Sequence, residues 1–131
     1  VEQLPTIAVL NDDQLYRHLL GQLLAEEGYR VIESTTGADA YPIIRAAQPA
    51  LVILDVRVGR PDDGWLTLEL LRLNPATAQK PVVVCSANTP LFRDTAARLR
   101  ELGCTLIEKP FLLDELLDVV RAALRGIEKE L

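Results

Sequence analysis

The chain has 131 residues, 49% of them hydrophobic and 5% aromatic, and carries a formal net charge of −5. That size and apolar content describe one compact domain, residues 1–131 with its core over about 5–125, and leave no room for a second. The acidic balance argues against a general binder of phosphate backbones, no apolar run approaches membrane-spanning length, and Val1-Glu2-Gln3 lacks the layout of a signal peptide; the chain reads as cytoplasmic. It starts at Val1 and contains no methionine, which suits a piece trimmed from a longer protein. Cys85 and Cys104 fall in separate apolar runs without Cys-x-x-Cys spacing, the pattern of buried thiols rather than of a metal site or redox pair.

In chain order, Ile7-Ala8-Val9-Leu10 predicts a first strand that ends in Asn11-Asp12-Asp13. Leu15, Leu19, Leu20, Leu23 and Leu24 then recur at helical spacing, and Gly28 can take the left-handed cap that closes the helix. Tyr29 to Ile32 predicts a short second strand. Thr36 can cap a second helix that carries Ala40, Ile43, Ile44 and Ala47, with Pro42 bending it early. Leu51-Val52-Ile53-Leu54 is an unbroken aliphatic run, the mark of a strand covered on both faces as in a parallel sheet, and Asp55 follows at once. After a polar loop to Gly64, Trp65 to Leu73 predicts a third helix ended by Asn74-Pro75. Val82-Val83-Val84-Cys85 is a fourth strand ending in Ser86-Ala87-Asn88. A fourth helix spans about Pro90 to Leu102, with Leu91, Ala96 and Leu99 inward, and Gly103 stops it. Cys104 to Ile107 is a fifth strand ending in Glu108-Lys109-Pro110, and Leu113 to Leu124 is a closing amphipathic helix. Five alternating strand-helix units predict an α/β fold, a doubly wound parallel sheet with helices on both faces and right-handed crossovers.

A parallel sheet gathers its carboxyl ends along one edge, where ligands bind. Strand one delivers Asp12 and Asp13 there, strand three Asp55, strand four Ser86 and strand five Lys109. Carboxylates within ~4 Å repel by about 4 kcal/mol per pair at an effective dielectric near 20, so the cluster calls for a cation. Lys109 offers one charge. Magnesium offers two, prefers oxygen ligands and is commonly held by one or two carboxylates plus a substrate phosphate. A central carboxylate such as Asp55 can act as a nucleophile towards phosphorus, with the metal, the Lys109 ammonium and the Ser86 hydroxyl neutralising the phosphoryl oxygens. Each residue taken singly also has a plain structural use: Asp12 or Asp13 as cap of helix one, Ser86 as cap of helix four, Lys109 in an ordinary ion pair. Their convergence on the ends of different strands favours the site.

These residues resemble the receiver domains of bacterial two-component response regulators, over almost the whole chain. The resemblance rests on the acidic cluster after strand one, Asp55 after strand three, a hydroxyl followed by alanine (Ser86-Ala87) after strand four, and Lys109-Pro110 after strand five. It implies a flavodoxin-like sheet of order 2-1-3-4-5. It further implies that Asp55 accepts a phosphoryl group from a histidine kinase or phosphotransfer protein, with magnesium bound by the acidic cluster, Asp55 and the backbone carbonyl of Arg57. Such a domain is no enzyme in the ordinary sense; it assists transfer to, and hydrolysis from, its own Asp55. Its partner downstream is a protein or an output domain outside this sequence, and it works as a monomer or weak homodimer without touching nucleic acid or membrane.

Measured back from Gly28, the family's acidic pair falls on Asn11 and Asp12, which makes Asp12 the better metal ligand, Asp13 the subsidiary acid, and one usual acid an amide. The loop Val56 to Gly64 lacks the usual Met-Pro and is one residue longer than the common form. Leu106 stands where many members carry Tyr or Phe. The Lys109-Pro110 bond is expected to be cis, turning Lys109 back over the site while Phe111 enters the core, and the two thiols, at opposite ends of adjacent strands, are expected to stay unbridged. A receiver-like interaction module that is never phosphorylated is the second reading. A flavin binder is disfavoured by the carboxylates after strand one, and a phosphatase with an Asp nucleophile by the lack of an Asp-x-Asp pattern there.

Overall fold

A computed structural model describes residues 4–36, 40–55, 63–87 and 90–130. Five strands, β1 (Thr6–Leu10), β2 (Arg30–Ser34), β3 (Leu51–Asp55), β4 (Val82–Ala87) and β5 (Cys104–Lys109), alternate with five helices, α1 (Gln14–Glu26), α2 (Ala40–Ala47), α3 (Asp63–Leu73), α4 (Pro90–Glu101) and α5 (Leu113–Glu130). The strands form one sheet in the order β2-β1-β3-β4-β5, every neighbouring pair parallel. This is the flavodoxin-like arrangement expected from sequence.

Side chains of a strand alternate between its faces, so each strand feeds two cores. Ala8, Leu10, Val52, Leu54, Val82 and Val84 pack with Ile44 of α2, Leu68 and Leu71 of α3, and Leu99 of α4. Ile7, Val9, Leu51, Ile53, Val83, Cys85 and Ile107 pack with Leu20 and Leu24 of α1 and with Leu116, Leu117 and Val120 of α5. The four aliphatics of β3 are all buried. At about 1.5–3 kcal/mol each they contribute at most roughly 6–12 kcal/mol, which makes β3 the fixed element to which Asp55 is attached.

The helix ends obey local chemistry. Gly28 takes φ +97 and Gly103 φ +77, the left-handed conformation that a glycine adopts without a Cβ penalty. A Cβ on Gly28 would also lie 2.7 Å from Leu4 Cδ1. Gln48, after α2, takes φ 47 although nothing in its residue type announces it. Pro42 lies in the first described turn of α2, where its missing N–H costs little. The helix starts at Ala40, and residues 37–39, on which the capping use of Thr36 depends, lie outside the described residues.

Several boundaries and one face differ from expectation; β5 runs on to Lys109 and α3 begins at Asp63. β2 runs on to Ser34 because its pairing with β1 continues to Leu10↔Ser34 and the Ser34 carbonyl then accepts the Asn11 N–H at 3.1 Å. β4 continues to Ala87, paired with Lys109, and α5 continues through the charged segment to Glu130. In α1 the leucine pattern holds in part: Leu20 and Leu24 face the sheet as expected, joined by Tyr16, while Leu15 and Leu19 are 80% and 53% exposed. Ala96 and Leu99 of α4 point inward as expected; the Leu91 side chain lies outside the described residues. Both cysteines are buried and unbridged, with Cys104 beside Val82 and Cys85 beside Ile107 at opposite ends of the β4–β5 ladder.

Arg72, in the last turn of α3, closes the far edge of the sheet. Its Nε donates to the Leu102 carbonyl at 2.7 Å and Nη1 to the Ala78 and Lys80 carbonyls at 3.0 and 2.7 Å. One planar cation thus satisfies three carbonyls that follow helices or lie in a turn.

Candidate functional site

Alternation along β3 sends Asp55 to the same side as Leu51 and Ile53, the side covered by α1 and α5. Lys109 shares that side with Ile107 on β5. The two meet: Lys109 Nζ donates to Asp55 Oδ1 at 2.9 Å, across 54 positions of sequence. The Asp55 side chain is 10% exposed and that of Lys109 30%, so the ion pair is sheltered yet open to an approaching group. The Lys109-Pro110 peptide is cis, and Phe111 packs against the α1/α5 core. Ser86 is buried one step beyond Cys85, the residue that pairs with Asp55.

The three polar residues after β1 divide their work. Asn11 is buried; its Oδ1 accepts the Asp13 N–H at 2.8 Å and its carbonyl accepts Arg17 Nη1 at 2.8 Å. Asp12 Oδ1 accepts both the N–H and the hydroxyl of Thr36, at 3.0 and 2.8 Å. Asp12 therefore ties the end of β1 to the segment after β2. Asp13 caps α1, its Oδ1 accepting the Tyr16 N–H at 3.1 Å, an interaction whose loss typically costs ~1 kcal/mol. Arg57 lies outside the described residues.

Sequence reasoning missed Tyr16. Its ring lies under the Lys109 ammonium, with Nζ 4.9 Å from the centroid. Burial pushes the phenol up to about 12, helped by neighbouring Cys85 and Asp55. The Cys85 thiol is likewise pushed up to about 12, chiefly by burial; Lys109 opposes the shift and Asp55 adds to it. Thr36 and Arg17 were also invisible as site residues, because their partners lie on the β1 loop and only the fold brings them there.

Among the described residues no three acidic, His or Cys side chains gather as a ready metal cage. Asp12 and Asp55 nevertheless supply two carboxylates at the ends of neighbouring strands, and each carboxylate oxygen has two lone pairs with which to accept. This donor set suits magnesium, which binds through one or two carboxylates and retains waters, better than it suits a metal that needs an all-protein cage.

The family model described as response regulator receiver domain matches residues 7–121. The chain belongs to that family. It is 30% identical over 117 residues to protein PilG of Pseudomonas aeruginosa, covering 88% of this chain and 84% of that one. It is also 30% identical over 117 residues to sporulation initiation phosphotransferase F of Bacillus subtilis, covering 88% and 90%. Other relatives are longer: the chain spans 55% of the transcriptional regulatory protein PdtaR of Mycobacterium tuberculosis. Among solved structures, a signal receiver domain from Vibrio parahaemolyticus superposes with a TM-score of 0.82 at 26% identity, covering 97% of this chain and 95% of that one. No described helix is long and apolar enough to cross a membrane.

Proposed function

We propose that this receiver domain is a phosphoacceptor in a two-component relay, with Asp55 as the nucleophile. A carboxylate oxygen of Asp55 attacks the phosphorus of a phosphohistidine on a histidine kinase or phosphotransfer protein. The P–N bond breaks as the P–O bond forms, and the imidazole leaves with a proton. The observation that carries the reading is the Lys109 ammonium 2.9 Å from Asp55, a cation already in place for the phosphoryl oxygens, and the phosphotransferase named among the relatives supports it. Ser86, at the next strand end, supplies its hydroxyl to another phosphoryl oxygen. Asp12 and Asp55, with Asp13 as subsidiary acid and the Arg57 carbonyl, would hold magnesium, which would screen the carboxylates from the incoming phosphate. Hydrolysis then returns Asp55 to its starting state, and in between the altered site switches a surface that contacts a downstream protein or an attached output domain.

The test is mass spectrometry after treatment with acetyl phosphate. The wild-type chain gains an acid-stable, base-labile phosphoryl group with magnesium and not without it, and Asp55→Asn gains none. Labelling of Asp55→Asn to the wild-type extent overturns the assignment. A wild-type chain that stays unlabelled leaves a receiver-fold interaction module, the reading that the amide at Asn11 favours.

A further inference from the structure

The ammonium of a lysine is a point charge on a flexible four-carbon stem, so something must hold it where the phosphoryl oxygens will arrive. Asp55 holds it only while Asp55 is a free carboxylate; once phosphorylated, that oxygen is part of an acyl phosphate and the charge lies on the phosphoryl group. Among the described residues the ring of Tyr16 also lies against Lys109, 4.9 Å from Nζ to centroid, within the ~6 Å reach of a cation–π contact. The ring is fixed by packing on the α1/α5 core, and its backbone by the main-chain N–H of Tyr16, which donates to Asp13 Oδ1 at the start of α1.

From this chain of contacts, and resting on Asp55 as phosphoacceptor, we infer that Tyr16 is a positioning residue that holds the Lys109 ammonium over the site before and after phosphoryl transfer. A ring suits the task better than an acid. It attracts the cation through its quadrupole, adds no negative charge to repel the phosphate, and imposes no single hydrogen-bond direction. Lys109 can therefore turn from Asp55 Oδ1 to a phosphoryl oxygen without leaving the ring, and little of its freedom remains to be lost at the moment of reaction. The phenol oxygen has no part in this, and a phenol, with an ordinary pKa near ~10, is neutral at working pH. Asp13, one residue past the acid that aligns with the family's pair, serves the site through Tyr16.

The experiment compares wild type, Tyr16→Phe and Tyr16→Leu as full chains with magnesium. Two readouts are taken: the NMR shifts of the Lys109 ε-methylene protons and the rate of labelling by acetyl phosphate. The expected result is an upfield ring-current shift of Lys109 in wild type and Tyr16→Phe that disappears in Tyr16→Leu. Labelling should be near wild type in Tyr16→Phe and slower by roughly 2- to 30-fold in Tyr16→Leu, the range spanned by exposed and desolvated cation–π contacts. Leucine is apolar and a good helix former, so a general loss of fold is not expected, and a merely structural role would leave the Lys109 shift in register with its neighbours. Equal labelling of Tyr16→Leu and wild type, or no ring-current shift in wild type, overturns this inference and leaves the phosphoacceptor reading standing. A wild type that takes no phosphoryl group overturns both.

Discussion

Cys85 makes the stability of this domain depend on alkaline pH in a way that can be worked out beforehand. Folding raises its thiol from 9.0 to about 12, mainly through burial. A raised pKa means that the folded chain keeps a proton which the unfolded chain gives up, so the stabilisation is whole below about pH 9 and is lost as the pH climbs towards 12. Near pH 10 the unfolded thiol is about ten to one ionised, and wild type should have lost about 1.4 kcal/mol relative to pH 8 from this group alone. By pH 12 the loss approaches roughly 4 kcal/mol, a large share of a typical domain's stability. Cys104, whose thiol burial also raises, acts in the same direction. Urea unfolding of wild type and Cys85→Val at about pH 8 and 10 isolates the effect, since valine is apolar and suits a buried strand. The variant should lose about 1.4 kcal/mol less than wild type across that interval. Equal losses would refute the reasoning and show that water or a cation reaches the thiolate in the folded chain.

Two further outcomes concern the site. Asn11→Asp should strengthen magnesium binding severalfold, read by isothermal titration, because a carboxylate there adds charge while still able to accept the Asp13 N–H that Asn11 Oδ1 accepts. Unchanged affinity would place position 11 outside the metal's reach. Leu106 lines a groove of about 410 Å³ with Arg93, Ala96, Arg100 and Glu108, and without a phenolic hydroxyl its rotamers should differ little in free energy. Beryllofluoride should then shift amides of the Ser86-Ala87-Asn88 segment and the start of α4 far more than those of β5 and α5; comparable shifts in both regions, retained in Leu106→Ala, would exclude that route.

The sheet was legible because β3, β4 and β1 are buried on both faces, and that condition writes itself as unbroken aliphatic runs. The strand-end residues Asp55, Ser86 and Lys109 followed from topology alone, as every parallel strand must deliver its next residue to one edge. Legibility failed where contacts depend on angle. Leucine spacing in α1 could not tell that Leu15 and Leu19 would face solvent while Tyr16 turned inward, since all three fit a helical repeat. The bond from Thr36 to Asp12 spans 24 residues, and a threonine before a helix is as good a cap as it is a partner for a distant acid. Asp13 ran the other way: the cap that its residue type permitted is the use the structure gives it. The left-handed Gln48 carried no signal at all.

The pairing of Asp55 with a lysine 54 positions later has a consequence for the chain as it is made. On the ribosome, β1, β2 and β3 with Asp55 emerge well before β4 and β5. Until those strands add to the β3 edge, Asp55 stands beside a bare row of unpaired backbone groups and has no ammonium for a partner. A chain stopped between Asp55 and Lys109 thus has the carboxylate without its ammonium. Because the cation stands on β5, at the edge of the sheet, the Asp55–Lys109 pair can form only after β4 and β5 have joined β3 in register, and the contact is a mark that this side of the sheet is complete.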